Sequence, residues 1–496
     1  MKKNALLVLL VMLLLVAACQ DMGQVPDEDT EAATAEPPAP TADTPAAPTE
    51  TTEAAMPESE PTAESQTEMV AQELPAELAA QLDALLEAQV YSEGGNPEGA
   101  APGLVLLVDT PDGRYLKAAG VSSLEEGTPM QLDDRLEIGS NSKLFTIAVL
   151  MQLQEEGLLS FDDMLSDWLP ELAGQIPNGE QITLRQLASH TSGIWDYGDP
   201  IIGEAAGDPE KLEQSYMPEE LVQYAIDNGT PDFNPGEGWN YSNTGYILLG
   251  MIAEKAAGQP LGELYEQRIF EPLGLETAVL IGGVPAEGEI TTQGYWWPED
   301  GSPRLNTTNW NASQGWAAGA IAMDAADLAT YGSALAAGEL FQDPDSLAQM
   351  LTFNQGSLLS GGAPFGLGLI DFGNGYWGHE GQTAGFQSLW YTNPGEGITV
   401  VGLTNSAAYS AFSFLNVIDI LNGTGAQPFL PISLLPVGQQ LPGLSTSDWE
   451  WVKGVEEAGV TDIPAGFVLS LASDGTASLS SPTCGPAAGT FTADAQ

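Results

Sequence analysis

Hydrophobic positions along the chain change their spacing several times, and each change predicts an element. Ala5 to Ala18 is one unbroken apolar run. From 20 to 75 the apolar positions thin out among Thr, Pro, Ala and Glu. At 76–91, Leu78, Leu82, Leu85 and Leu86 recur at helical spacing, which predicts an amphipathic helix. Gly103–Asp109 and Arg114–Gly120 are strand-like, and Thr110-Pro111-Asp112-Gly113 between them predicts a hairpin. Three more strand-like runs follow late, Gly366–Phe372, Phe386–Thr392 and Ile398–Thr404, with Asn393-Pro394-Gly395-Glu396-Gly397 as the last turn. The stretch between is mostly helix and loop. The pattern predicts an α+β fold. Its antiparallel sheet is formed from both ends of the region, flanked by helices, with a mostly helical insertion.

Charge narrows the classes of partner. The 496 residues hold 12 Lys+Arg against 69 Asp+Glu, a formal net charge of −57. Nucleic-acid binding runs on basic patches, and docking on anionic lipid does too; neither fits. Such acidity keeps a protein soluble and favours a monomer. It suits both high-salt and exported proteins.

The first apolar run follows Lys2 and Lys3 and is too short to span a bilayer. It ends in Val16-Ala17-Ala18-Cys19, which resembles a bacterial lipobox. The expectation is a lipoprotein signal over 1–19, with Cys19 as the lipid attachment point and an extracytoplasmic, membrane-anchored protein. An ordinary secretory signal cut nearby is the alternative. Cys484 is the only other cysteine; with Cys19 acylated, no intramolecular disulfide forms. Residues 20–75 carry no Lys or Arg and read as a disordered acidic linker. The remaining expected divisions are a main domain at 76–425, a Pro- and Leu-rich linker at 426–445 and a small β-rich segment at 446–496. Phe467–Ala472, Ser473-Asp474-Gly475-Thr476 and Gly489-Thr490-Phe491 suggest β-hairpins. They resemble the start of META-type domains of surface lipoproteins, left incomplete.

Three short motifs carry the chemistry. Ser140-Asn141-Ser142-Lys143 opens a helix that is apolar nearly all round, from Leu144 to Leu153, before Gly157. Such a helix is buried. Lys143 lies three residues after Ser140 and returns to its face. A confined lysine has a depressed pKa and helps to take a serine proton. Ser-x-x-Lys alone occurs by chance on the order of once in a chain of this size. Tyr241-Ser242-Asn243 sits between the Asn234-Pro235-Gly236 loop start and the apolar Ile247–Ile252. Tyr241 near a lysine is a candidate general base, and Asn243 an amide that holds a carbonyl and orients the lysine. Gly378-His379-Glu380-Gly381 precedes the Phe386–Thr392 strand. His379 is a candidate donor or part-time cation, and Gly381 permits close backbone approach. His190, the second of two histidines, reads as a structural loop residue.

Ser-x-x-Lys, Tyr-Ser-Asn and His-x-Gly in this order resemble the serine β-lactamase-related family. It includes class C β-lactamases, D-alanyl-D-alanine carboxypeptidases and related esterases. The resemblance spans about residues 76–425, supported by Ser189–Ile194, Phe270–Leu275, Ala318–Tyr331 and Phe365–Gly368. It implies a β-lactamase/transpeptidase-like fold and an acyl-enzyme on Ser140. It further implies proton handling by Lys143 and Tyr241, and substrate contacts from Asn243, His379, Gly381 and Gln382. The Gln382 N–H joins that of Ser140 in the oxyanion hole. No cofactor or metal is implied. His379 stands where β-lactamases of this branch carry a lysine for the substrate carboxylate. The expected substrate is therefore a small ester, amide or D-amino-acid peptide, including peptidoglycan peptide, ahead of a β-lactam. The alternative is a surface lipoprotein that binds cell-wall peptide or β-lactam with little or no turnover.

Overall fold

The computed structural model describes residues 73–92, 100–207, 211–283, 285–286, 288–298, 303–354 and 363–423, and strands within 468–490. The leader with Cys19 and both expected linkers, apart from 73–75, lie outside the described residues.

The chain begins with helix α1, Ala76–Ala88. Strands β1 (Gly103–Thr110) and β2 (Gly113–Ser123) form the first hairpin, and β3 is the short Thr128–Pro129. Helices α2 (Ser142–Glu155), α3 (Asn243–Ala257) and α4 (Ala325–Ala337) are the long apolar elements of the middle region. Strands β4 (Ile370–Gly373), β5 (Tyr376–Gln382), β6 (Gln387–Asn393) and β7 (Ile398–Thr404) follow, then helix α5, Asn416–Leu421. The seven strands form one sheet in the order β3-β2-β1-β7-β6-β5-β4. Every pairing is antiparallel, and β1 meets β7 with Leu104 opposite Thr404 and Val108 opposite Val400. The sheet thus joins strands from both ends of the region, as the periodicity predicts.

The central strands are apolar on both faces because both are covered. Leu104, Leu106, Val108, Leu389, Tyr391 and Val400 share a core with Leu82 and Leu86 of α1 and Val417 and Ile420 of α5. Val105, Leu107, Trp390, Val401 and Leu403 face the larger core with α2, α3 and α4. Within that core Phe145 stacks on Tyr331, with ring centroids 3.7 Å apart. Helix α2 is buried from Ser142 through Met151, so its lack of a polar face has a direct cause. Removing one such Leu or Phe to Ala typically costs about 3–5 kcal/mol.

Three expected elements differ in the structure. Of the Gly366–Phe372 run only Ile370 to Phe372 is strand, within β4. Before it the Gly366 N–H donates to the Leu369 carbonyl at 2.7 Å, so 366–369 turns instead. The Gly378–Gly381 motif, expected only to precede the Phe386–Thr392 strand, lies within a strand of its own, β5. Its glycines conceal the strand because they fit where neighbouring backbone comes too close for a side chain. Ser140 occupies a 3₁₀ turn, Gly139–Asn141, and the α-helix starts at Ser142. Near the C-terminus, Val468–Leu471, Thr476–Ser481 and Gly485–Thr490 form a separate antiparallel sheet.

Candidate active site

Backbone proximity sets the first part of the site. Gly139 has φ +52°, and a Cβ there would lie 2.5 Å from the Gln382 nitrogen. A Cβ on Gly381 would lie 1.9 Å from the Ile138 carbonyl oxygen. Only glycine fits at either place, so the end of β5 lies directly against the turn that carries Ser140. Hydrogen bonds hold the contact. Asn141 Nδ2 donates to Ser388 Oγ at 2.8 Å, and Ser388 Oγ donates to the Ile138 carbonyl at 2.6 Å. Ser142 Oγ accepts from the Ile321 N–H at 3.0 Å. The Ser140 and Gln382 N–H groups are therefore neighbours on a fixed frame.

Lys143 is fully buried. Its Nζ lies 3.0 Å from Ser140 Oγ, 2.7 Å from Asn243 Oδ1 and 2.7 Å from the Ala318 carbonyl. Burial lowers its pKa to about 7, against the opposing pull of Asp196. The geometry gives that value a consequence. The Asn243 and Ala318 oxygens only accept hydrogen bonds. A neutral amine has two N–H bonds to satisfy them, and its lone pair is left facing Ser140 Oγ. The arrangement can take the hydroxyl proton without moving a side chain.

Asn243 is the first residue of α3, and Tyr241 lies in the loop just before it. The Tyr241 ring centroid is 4.9 Å from Lys143 Nζ. Tyr241 is not readily deprotonated: burial pushes its pKa well up, with a smaller lowering pull from Ser140. The expected easy loss of its proton is corrected on this point, and the group that titrates near neutrality is Lys143. The phenol oxygen is buried with no hydrogen bond of good geometry, Ser140 lying near enough to act on it. Its ring lies 4.2 Å from His190 and 6.2 Å from Phe365, centroid to centroid.

His379 is also buried. Its Nδ1 meets the Glu380 carbonyl oxygen. A carbonyl only accepts, so Nδ1 carries the proton. Burial first, and then the Lys143 charge, push the His379 pKa down to about 3, with the Glu380 carbonyl opposing. The ring is neutral at physiological pH, which corrects its reading as a part-time cation. Nε2 therefore presents a lone pair, and it has no partner. The next side chain, Glu380, has its pKa raised to about 7 by burial.

All the sequence-predicted site residues except Cys19 come together here: Ser140, Lys143, Tyr241, Asn243, His379, Gly381 and Gln382. Two further residues belong with them. Asp196 accepts from the Asn243 N–H at 2.7 Å and from Asn243 Nδ2 at 3.2 Å. Nothing in its spacing marks it out; it follows the Ser189–Ile194 stretch by two residues. His190 holds its expected structural place in the loop, and that place bears on the site. Its Nδ1 accepts from the Ser242 N–H at 3.1 Å, and its ring covers Tyr241. Among the described residues no three His, Cys, Asp or Glu side chains converge as a metal site.

An antiparallel sheet flanked by helices, with a serine packed against its strand β5 and a buried lysine beside it, defines the β-lactamase/transpeptidase-like class of fold. The chain belongs to the Beta-lactamase family, whose model matches residues 76–417. That places it in a family of serine hydrolases. It is 35% identical to a Bacillus subtilis penicillin-binding protein over 36% of this chain and 38% of that protein. The chain thus spans well under half of that relative's length. It is 27% identical to a Cereibacter sphaeroides D-aminopeptidase over 72% of this chain and 69% of that one. Among solved structures, a D-stereospecific amidohydrolase from Streptomyces superposes with a TM-score of 0.60 at 33% identity. That match covers 69% of this chain and 97% of the other.

Proposed function

We propose that this chain is an extracytoplasmic serine hydrolase acting through an acyl-enzyme on a small ester, amide or D-amino-acid peptide. The observation that carries the proposal is the Lys143 amine 3.0 Å from Ser140 Oγ, with its two other contacts both acceptors. Ser140 Oγ bonds to the substrate carbonyl carbon as its proton passes to Lys143 Nζ. The carbonyl oxygen takes negative charge between the Ser140 and Gln382 N–H groups; one such donor typically contributes about 3 kcal/mol to barrier reduction. The bond to the leaving group then breaks, and the proton reaches it through the Tyr241 hydroxyl. In the second half a water gives its proton to the same pair, and its oxygen bonds to the acyl carbon. Acid is released and Ser140 Oγ–H restored. Asn243 holds the acyl side.

His379 bears on the substrate. A neutral ring with a free lone pair offers no charge to a carboxylate. That favours amides, esters and amine-bearing peptides over β-lactams, in line with relatives named as a D-aminopeptidase and a D-stereospecific amidohydrolase. The test is labelling with a fluorophosphonate probe, followed by a panel of cephalosporin, acyl ester and D-Ala-D-Ala peptide. Labelling should vanish in Ser140→Ala. Absence of labelling in folded wild type favours a binding protein without turnover, and rapid cephalosporin turnover with weak ester cleavage overturns the substrate order.

The location rests on Lys2, Lys3, the Ala5–Ala18 run and Cys19. We infer lipid anchoring at Cys19, with 20–75 as a tether. Metabolic incorporation of a palmitate analogue, lost in Cys19→Ser, checks it; unchanged incorporation refutes it.

A further inference from the structure

We propose that Asp196 is a positioning residue that locks the Asn243 amide and thereby aims the Lys143 lone pair at Ser140. The inference rests on the acyl-transfer mechanism proposed above. Asp196 offers Asn243 two acceptors. One takes the main-chain N–H at 2.7 Å and the other the side-chain Nδ2 at 3.2 Å. A carboxylate has no proton to give, so the NH₂ edge of the amide faces it and Oδ1 faces Lys143. That orientation matters most at the instant of reaction. A charged Lys143 holds Oδ1 by itself. A neutral Lys143 does not, because its lone pair would equally accept from Nδ2. With the amide turned over, the lone pair would be tied to Asn243 and lost to Ser140. Only Asp196 opposes that turn in the neutral state.

Asp196 also acts through charge. Burial depresses the Lys143 pKa, and the Asp196 charge partly restores it. The other groups around the pair are accounted for. His190 and His379 are held neutral by burial and by the Lys143 charge. Tyr241 and Tyr197 are held protonated, chiefly by burial. Glu380 lies beside Tyr241, and its charge adds to the burial that raises the phenol. Asp199 is the remaining charge facing Asp196, and it pushes the Asp196 carboxyl up. The N–H groups of Asn243 and Gly198 and the Lys143 charge oppose the rise that burial causes.

The test is Asp196→Asn in the full chain, read as the fluorophosphonate labelling rate against pH. An asparagine cannot accept from Asn243 at both positions without one amide turning. Labelling should fall about 100-fold. The acid-side midpoint of the profile should move to lower pH, because Lys143 loses the charge that favours its ammonium form. Asp196→Ala, which puts no donor against Asn243, should show the same midpoint shift with a smaller loss of rate. A wild-type midpoint in a folded variant overturns the proposal, as does a labelling rate within threefold of wild type. Failure of both variants to fold assigns Asp196 to the fold and overturns it too. Absence of labelling in wild type is a separate result, which removes the acyl-transfer mechanism itself.

Discussion

The two sides of Ser140 differ in how completely their polar atoms are satisfied. On the lysine side, the three Nζ contacts are Ser140, Asn243 and Ala318, and Asn243 is bonded in turn to Asp196. On the tyrosine side, Tyr241 Oη, His379 Nε2, His190 Nε2 and Trp239 Nε1 are buried with no hydrogen bond of good geometry. Phe365 touches all four rings, at centroid distances of 4.7–6.2 Å. A buried polar atom left unpaired costs roughly 1–3 kcal/mol. The saturated side therefore leaves none of its paired groups wanting before any substrate arrives, although burying Lys143, whose pKa falls to about 7, itself costs stability near neutral pH. The unsaturated side carries a cost that a substrate with matching polar groups relieves, which is how binding energy becomes available for catalysis.

The largest expected effect comes from breaking the saturated side. Lys143→Met keeps the length of the side chain but removes the base. Turnover of the best panel substrate should fall at least 10³-fold, measured as kcat on folded protein. Wild type gives the matching pH signature. Its Lys143 pKa near 7 means that the base fraction, and the labelling rate, rise about tenfold per pH unit below that value and level off above it. A flat profile between pH 5 and 8 would show that another group is the base.

A smaller effect is expected where the two sides meet the substrate. His379→Lys puts a cation where the neutral ring now offers a lone pair. The ratio of kcat/KM for carboxylate-bearing over carboxylate-free substrates should rise about tenfold, a change of roughly 1.4 kcal/mol. A fall in that ratio would show that His379 does not face the substrate.

The smallest shift is one in stability, and it accompanies a loss of turnover. Tyr241→Phe removes a buried hydroxyl that makes no hydrogen bond of good geometry. The melting temperature should stay level or rise by about 1–3 °C while turnover drops about 100-fold. A fall of several degrees would mean that the phenol is bonded in the free protein, and the contrast between the two sides would weaken.

Much of this was legible before the fold was known. The three motifs needed only their order and residue types. The apolar runs at 103–109, 386–392 and 398–404 announced themselves because both faces of the sheet are covered. Strand β5 did not, because Gly378, His379 and Gly381 follow no hydrophobic alternation; they answer to neighbours that come close only in the folded chain. Asp196 and the position of His190 over Tyr241 were equally silent, since each matters through a residue about 50 positions away.

By itself, then, the sequence determined the class of chemistry. A serine and a lysine one helical turn apart are linked by local geometry, and a helix without a polar face must be buried. Tertiary structure alone decided the protonation states. Burial sets Lys143 near neutrality, holds Tyr241 protonated and keeps His379 uncharged. Desolvation depends on everything packed around a group, and no short stretch of sequence contains that information.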